Sequence, residues 1–130
     1  MIRDKNSTEW KASAKHGGGE WMAERISSVA LIPLGLWGVY AATEIVGKGY
    51  DGALAFLLDP LNAGLMALLI LTSVWHMHMG LRVVIEDYIG KPGAKGLFLG
   101  LNTLLCVIAA GASVFSIVKI ALTALGGAQA

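Results

Sequence analysis

Three long apolar stretches without a charged residue dominate the pattern of the chain, at residues 26–43, 61–80 and 96–118. Within each stretch the apolar positions are continuous and do not alternate with polar ones. A helix rises about 1.5 Å per residue, so each stretch can cross the roughly 30 Å hydrocarbon core of a membrane. Lipid accepts only helices or closed barrels, and barrel strands alternate. The pattern therefore predicts an all-α membrane protein with three transmembrane helices, at about residues 23–44, 60–87 and 96–124.

The composition supports the same class of protein. Of 130 residues, 55% are apolar and 15% are charged, which is too apolar for an ordinary soluble domain and too short for several domains. Cys106 is the single cysteine, so an internal disulfide and a thiolate metal cluster are excluded. The sequence also contains no dinucleotide-binding fingerprint. We expect such a chain to anchor or hold other groups and not to oxidise a substrate by itself.

Lysine and arginine are concentrated at one end of the predicted helices. The N-terminal segment and the second loop carry most of them, whereas the first loop carries only Lys48. These cations are Arg3, Lys5, Lys11, Lys15, Arg25, Arg82, Lys91 and Lys95. Cationic loops stay on the cytoplasmic side of a bacterial membrane, or on the matrix side in a mitochondrion. The amino terminus is therefore predicted inside and the carboxyl terminus outside.

Residues 1–22 are predicted to form a hydrophilic amino-terminal arm, followed by a membrane anchor at residues 23–126. The arm mixes charges, Ser and Gly without periodicity, which is typical of a flexible or partner-ordered segment. Its run HGGG resembles a hydrolase oxyanion loop, but no G-x-S-x-G nucleophile motif follows, so a flexible linker is the preferred interpretation. The arm resembles neither a signal peptide nor an Arg-rich, acid-poor transit peptide, which favours a bacterial inner membrane over a mitochondrial one.

Two histidines lie inside the second apolar stretch, in the segment WHMHMGLRVVIEDYIG. Ionisable groups deep in a membrane are costly and usually mark a site that faces the bundle interior. At 100° per residue, Gly80 lies about 40° from His76 on the same helix face, whereas His78 lies about 200° away. One helix therefore cannot present both imidazoles to the same metal ion.

Imidazole is a common axial ligand of haem iron, and two imidazoles make a six-coordinate haem suited to electron transfer. Neither of the other predicted helices contains a histidine, so the second ligand to a haem on His76 is expected from a partner subunit. Gly80 would leave room for the flat macrocycle. The alternative is that the histidines only form hydrogen bonds between helices. For His78, this or a contact with a partner is the preferred interpretation.

Asp87 and Tyr88 close the same segment. Tyr88 lies about 18 Å beyond His76 along the helix, at the predicted inner membrane boundary. A phenol there can donate a hydrogen bond to a carbonyl oxygen of a lipid-soluble quinone, and a neighbouring carboxylate can orient the phenol or supply protons. The alternative is an aromatic-belt tyrosine beside a helix-end acid.

At these residues the sequence resembles a known family. The order H-x3-G-x6-D-Y, formed by His76, Gly80, Asp87 and Tyr88, is similar to the signature of the small membrane-anchor subunit of succinate dehydrogenase, respiratory complex II, also called its D or small cytochrome b subunit. The wording VVIEDYIG and the stretch WMAERISSVALIPLGLW also resemble that family. The likeness covers roughly residues 20–120 and is specific in the second helix.

The resemblance implies roles for four residues of the second helix. His76 would be the axial ligand of haem b from this subunit, and Gly80 would pack against the haem. Tyr88 would donate a hydrogen bond to ubiquinone, and Asp87 would be its neighbour in the quinone pocket.

The resemblance extends to the start of the first helix. Arg25 would be a candidate partner for a haem propionate, although an arginine at the inner boundary is equally explained by topology. Ser28, together with Ser27, would be a candidate lining of the haem and quinone region. Arg82 departs from the family pattern, where an uncharged residue is common, and its contact with a propionate or with the inner surface stays open.

The resemblance also implies partners. A flavoprotein with covalent FAD would oxidise succinate, an iron–sulfur subunit would relay electrons, and a second cytochrome b anchor subunit would supply the other haem ligand. Membrane lipid is the surrounding medium, and no nucleic acid partner is expected. Two alternatives stay open: the haem-bearing anchor of a quinol:fumarate reductase, and a non-haem membrane assembly or accessory protein.

Overall fold

The computed structural model describes the backbone of residues 6–128 and the side chains of residues 18–127. This part of the chain forms four helices and no strand. They are α1 (Asn6–Ile45), α2 (Gly49–Leu57), α3 (Pro60–Tyr88) and α4 (Pro92–Ala128). Three of them, α1 from Gly18 onward, α3 and α4, are long and apolar enough to cross a membrane. The predicted all-α class with three long apolar helices is confirmed.

Helix α1 is described from Asn6 onward and so includes most of the segment predicted as a hydrophilic arm. That segment contains no proline to end a helix before Pro33, and its Ala, Glu and Lys residues favour helical backbone. Residues 1–5 of the predicted arm, and the side chains of residues 6–17, lie outside the described part. The division into arm and anchor stays a prediction.

The short helix α2 was not predicted. It has only nine residues, too few to stand out as an apolar stretch, and Asp51 interrupts its pattern. The turn before it uses Gly47 and Gly49 at φ 90 and 69, a backbone conformation that glycine adopts without steric cost. Helix α3 then starts at a cap, where the side chain of Asp59 accepts a hydrogen bond from the backbone N–H of Leu61 at 3.0 Å.

Helix α3 occupies the centre of the structure. Helices α1 and α4 each pack against α3, and α2 lies against all three long helices. Within the described part, α1 and α4 do not pack against each other. Small side chains such as Ala41, Ala63 and Cys106 are buried, while most large apolar side chains are exposed. This is the arrangement expected for helices that pack through small residues and turn their large residues toward lipid or a partner.

Candidate functional site

The imidazole of His76 on α3 is held by α1. The Oγ atom of Ser27 lies 3.1 Å from Nδ1 of His76, and the Ser27 hydroxyl also donates to the backbone carbonyl of Glu24 at 2.8 Å. Ser27 is only 6% exposed. Ser27, Leu34 and Ala41 are all buried and stand seven residues apart, so they follow one stripe of α1 that faces α3. Packing of this stripe against α3, here called the α1–α3 seam, places the Ser27 hydroxyl beside the imidazole of His76.

His78 is held by the opposite neighbour, α4. Its Nε2 atom lies 3.1 Å from Oγ1 of Thr103, whose hydroxyl donates to the carbonyl of Leu99 at 3.0 Å. The buried amide of Asn102 also donates to the backbone carbonyl of His78 at 3.1 Å. Because the Thr103 hydroxyl donates its single proton to Leu99, its oxygen accepts the hydrogen bond from the N–H of His78. The structure thus places His78 in a hydrogen bond between α3 and α4, which corresponds to the first of the two roles considered for it.

The backbone beside His76 is open. A Cβ atom added at Gly80 would meet nothing within 4 Å, whereas one added at Gly38 would lie 2.9 Å from Cδ2 of Leu69. Glycine at position 38 therefore serves the close approach of α1 to α3. At position 80 the chain itself places no atom within 4 Å of the added Cβ, so this part of the α3 backbone is accessible.

Asp87 and Tyr88 lie at the end of α3 and are both exposed, with 84% of Tyr88 accessible. The backbone leaves the helix at Ile89, whose conformation is extended. At 100° per residue, Asp87 lies about 20° from His76 around the α3 axis, and Tyr88 lies about 120° away. His76, Gly80 and Asp87 therefore share one face of α3, and Tyr88 turns its phenol to the side of that face.

Arg25 and Ser28 are not brought to His76. The guanidinium carbon of Arg25 lies 4.3 Å from the centroid of the Trp21 ring, a cation–π arrangement, and Arg25 is about 200° around α1 from Ser27. The Ser28 hydroxyl is exposed and donates to the carbonyl of Glu24 at 2.8 Å. Both residues lie near the site, at the same end of α1, without contacting the histidine.

Arg82 forms two ion pairs. Its Nη1 lies 2.9 Å from Oε1 of Glu20 on α1, and its Nε lies 2.9 Å from Oε1 of Glu86 one turn further along α3. These side chains line a groove of about 480 Å³ between α1 and α3. Within the described residues, Arg82 is therefore paired with carboxylates on two helices.

The possible metal-ligand side chains in this region are few. Within the described residues, no group of three or more His, Cys, Asp or Glu side chains converges on one point. A haem would need only a single donor side chain from this chain. His76, together with the open flank at Gly80, fits that requirement. The contact between Ser27 and His76 could not be predicted from the sequence, because no spacing rule links residues on separate helices.

Comparisons with known proteins identify the family of the chain. The family model for the succinate dehydrogenase/fumarate reductase transmembrane subunit matches residues 3–110. The chain is 27% identical over 111 residues to the succinate dehydrogenase hydrophobic membrane anchor subunit of Rickettsia conorii, covering 83% of each chain. It is 30% identical over 89 residues to the same subunit of Rickettsia bellii, covering 68% of each. No solved structure matches. The chain therefore belongs to the succinate dehydrogenase/fumarate reductase transmembrane subunits, as a membrane anchor of the succinate dehydrogenase type.

Proposed function

We propose that this chain is the anchor subunit of a succinate:ubiquinone oxidoreductase that holds haem b against a second anchor subunit and forms part of the ubiquinone-reduction site. The observation that carries the proposal is the arrangement of His76 and Gly80. Both lie on one face of α3, one ring nitrogen of His76 is bound by Ser27, and the backbone beside it is open. His78, by contrast, is bound into the α3–α4 interface.

In this proposal His76 would hold the haem iron through its second ring nitrogen, Nε2. Within residues 18–127, Nε2 forms no hydrogen bond, since the one contact of the ring is through Nδ1. Gly80 lets the macrocycle lie close to the backbone of α3. A bound haem b supplies one-electron chemistry. Another imidazole for the haem would come from the partner anchor, because the other long helices of this chain offer no histidine within their apolar stretches.

Tyr88 and Asp87 serve the quinone. The exposed phenol of Tyr88 donates a hydrogen bond to a carbonyl oxygen of ubiquinone, and the carboxylate of Asp87 orients that phenol or passes protons to the pocket. Reduction of ubiquinone to ubiquinol takes up two electrons and two protons. Both residues lie at the helix end, where the pocket meets water, so protons reach the quinone without crossing the membrane.

Arg25 and Ser28 keep their predicted roles as a partner for a haem propionate and a lining of the same region. The exposed position of Arg25 leaves its guanidinium within reach of a group held between the two anchor subunits.

The orientation of the chain in the membrane belongs to the proposal as well. Helix packing puts the Gly18 end of α1, the end of α3 and the start of α4 on one side, and the cations there favour the cytoplasmic face of a bacterial inner membrane.

The test of haem binding is a reduced-minus-oxidised absorption spectrum of the complex, purified in detergent with its partner subunits. His76→Ala is compared with wild type and with His78→Ala, a matched change two residues away on the opposite face of α3. We expect a b-type haem spectrum in wild type and His78→Ala, and its loss or shift in His76→Ala. An unchanged spectrum in His76→Ala, or an intact wild-type complex without haem, would contradict the assignment.

The preferred direction of catalysis distinguishes a succinate dehydrogenase from a fumarate reductase, the two enzymes that the family description covers. Turnover with succinate plus ubiquinone is compared with turnover of fumarate plus menaquinol in the same preparation. A succinate:ubiquinone oxidoreductase is expected to favour the first pair. Faster fumarate reduction would identify the quinol:fumarate reductase alternative, and no turnover with either pair in an intact complex would point to an accessory protein.

A further inference from the structure

We infer that Ser27 is a positioning residue for the haem ligand: its hydroxyl, at the α1–α3 seam, holds His76 in the tautomer and ring orientation that present Nε2 to iron. This inference rests on the proposed function and extends it to a residue of another helix. The contact joins positions 27 and 76 at 3.1 Å, and Ser27 is buried.

The direction of the hydrogen bond follows from counting protons. A serine hydroxyl has one proton to donate, and a backbone carbonyl can only accept. The Ser27 hydroxyl lies 2.8 Å from the carbonyl of Glu24, so that contact uses the proton. The lone pair of Ser27 then faces Nδ1 of His76 and accepts its N–H. In a neutral imidazole the other nitrogen, Nε2, therefore carries the free lone pair that a metal requires.

Burial makes this arrangement effective. Ser27 is 6% exposed, so water does not compete for its hydroxyl, and its backbone belongs to a continuous helix that fixes where the oxygen lies. The hydroxyl is also tied to its own helix by the bond to Glu24. The His76 imidazole is thus held against a rigid acceptor. Histidines that bind metals generally donate their other ring N–H to such a group, which fixes their orientation.

The Ser27 acceptor is also expected to change how strongly the His76 imidazole donates electrons to the iron. A hydrogen bond from Nδ1–H makes an imidazole a stronger donor to iron, which favours the oxidised metal. Removing the acceptor is therefore expected to make the midpoint potential of the haem more positive. It is also expected to weaken haem retention by about 10- to 100-fold, the range found when groups behind a metal ligand are removed.

The experiment is a redox titration of haem in the purified complex, together with the rate at which haem transfers to excess apomyoglobin. Ser27→Ala removes the acceptor, Ser27→Cys keeps the side-chain volume but offers only a weak acceptor, and Ser27→Thr keeps the hydroxyl. Ser113→Ala is the control, because the Ser113 hydroxyl also bonds back to its own helix, at 2.7 Å to Ala109, on α4.

We expect a more positive potential and faster haem transfer in Ser27→Ala and Ser27→Cys, with values close to wild type in Ser27→Thr and Ser113→Ala. Wild-type potential and transfer rate in both Ser27→Ala and Ser27→Cys would overturn the inference. The proposed function is judged separately by His76→Ala. Haem retained in that variant would remove the haem assignment itself, whereas its loss alongside unchanged Ser27 variants would remove only the role of Ser27.

Discussion

His76 and His78 stand two residues apart on α3 and are held by different helices. Nδ1 of His76 lies 3.1 Å from Ser27 of α1, and Nε2 of His78 lies 3.1 Å from Thr103 of α4. Because α1 and α4 do not pack against each other in the described part of the chain, these two hydrogen bonds lie at separate interfaces of α3. This division motivates a packing role for one histidine and a ligand role for the other.

The open space at Gly80 predicts a selective effect of a larger side chain. Gly80→Leu is expected to lower the haem content of the complex at least several-fold, because the leucine would occupy the space proposed for the macrocycle. The chain itself should still insert, since a Cβ at this position meets nothing within 4 Å. Haem per complex is measured by pyridine haemochrome. Gly64→Leu is the control, on the same helix and equally open; equal haem content in both variants would contradict the prediction.

Tyr88→Phe removes the proposed hydrogen-bond donor to ubiquinone. Loss of one hydrogen bond of about 1 kcal/mol lowers kcat/KM for ubiquinone by roughly 5-fold. Succinate oxidation with a soluble artificial electron acceptor should not change, because the dehydrogenase subunits are untouched. Tyr50→Phe is the matched control, a similarly exposed tyrosine on α2. Steady-state kinetics at limiting ubiquinone decide the matter, and an unchanged kcat/KM in Tyr88→Phe would remove its assigned role.

The hydrogen bond between His78 and Thr103 is expected to stabilise the α3–α4 interface and nothing else. Thr103→Val keeps the shape of the side chain and leaves the N–H of His78 without an acceptor. Interhelical hydrogen bonds in membranes contribute about 0.6 kcal/mol on average and about 1.7 kcal/mol at most, so a lower unfolding midpoint of the complex is expected. Thr123→Val is the control, because among the described residues the Thr123 hydroxyl bonds to Lys119 of its own helix and to no other helix. Loss of haem in Thr103→Val would argue against a purely structural His78.

The close approach of Gly38 on α1 to Leu69 on α3 predicts that substitutions at these two positions have coupled effects on stability. In Gly38→Ala the new Cβ would lie 2.9 Å from Cδ2 of Leu69, so Leu69 must shift, and overpacking of this kind costs about 1 kcal/mol. The cost should vanish in a Leu69→Ala background, which a double-mutant cycle on the unfolding midpoint measures. Gly35→Ala, where nothing lies within 4 Å, should show no such cost. An additive cycle would mean that Leu69 is not the obstacle.

The ion pairs of Arg82 predict a small effect. The side chains of Arg82, Glu20 and Glu86 are 46%, 59% and 42% exposed, and exposed pairs typically contribute less than about 1 kcal/mol. Arg82→Gln is therefore expected to lower stability slightly, and less so at high salt. The haem potential should stay at the wild-type value, because Arg82 is bound by carboxylates. A clear change in potential would instead indicate a contact with a propionate.

Much of the helix plan could be predicted from the chain, and one element could not. Continuous apolar stretches require transmembrane helices because lipid offers no partner for free backbone groups. Helix α2 escaped prediction because nine residues containing Asp51 and two glycines form no such stretch. The helical backbone of α1 from Asn6 onward also escaped, because mixed polar residues have no period that distinguishes a solvated helix from a loop.

The sequence by itself determined which residues share a face of a single helix. His76, Gly80 and Asp87 share a face of α3, and His78 does not, because 100° per residue follows from backbone geometry alone. Only the tertiary structure decided which side chains meet between helices. That Ser27 contacts His76, Thr103 contacts His78 and Glu20 contacts Arg82 depends on how each helix is rotated and packed against the next. Such a contact joins residues far apart in the chain, and no local spacing encodes it.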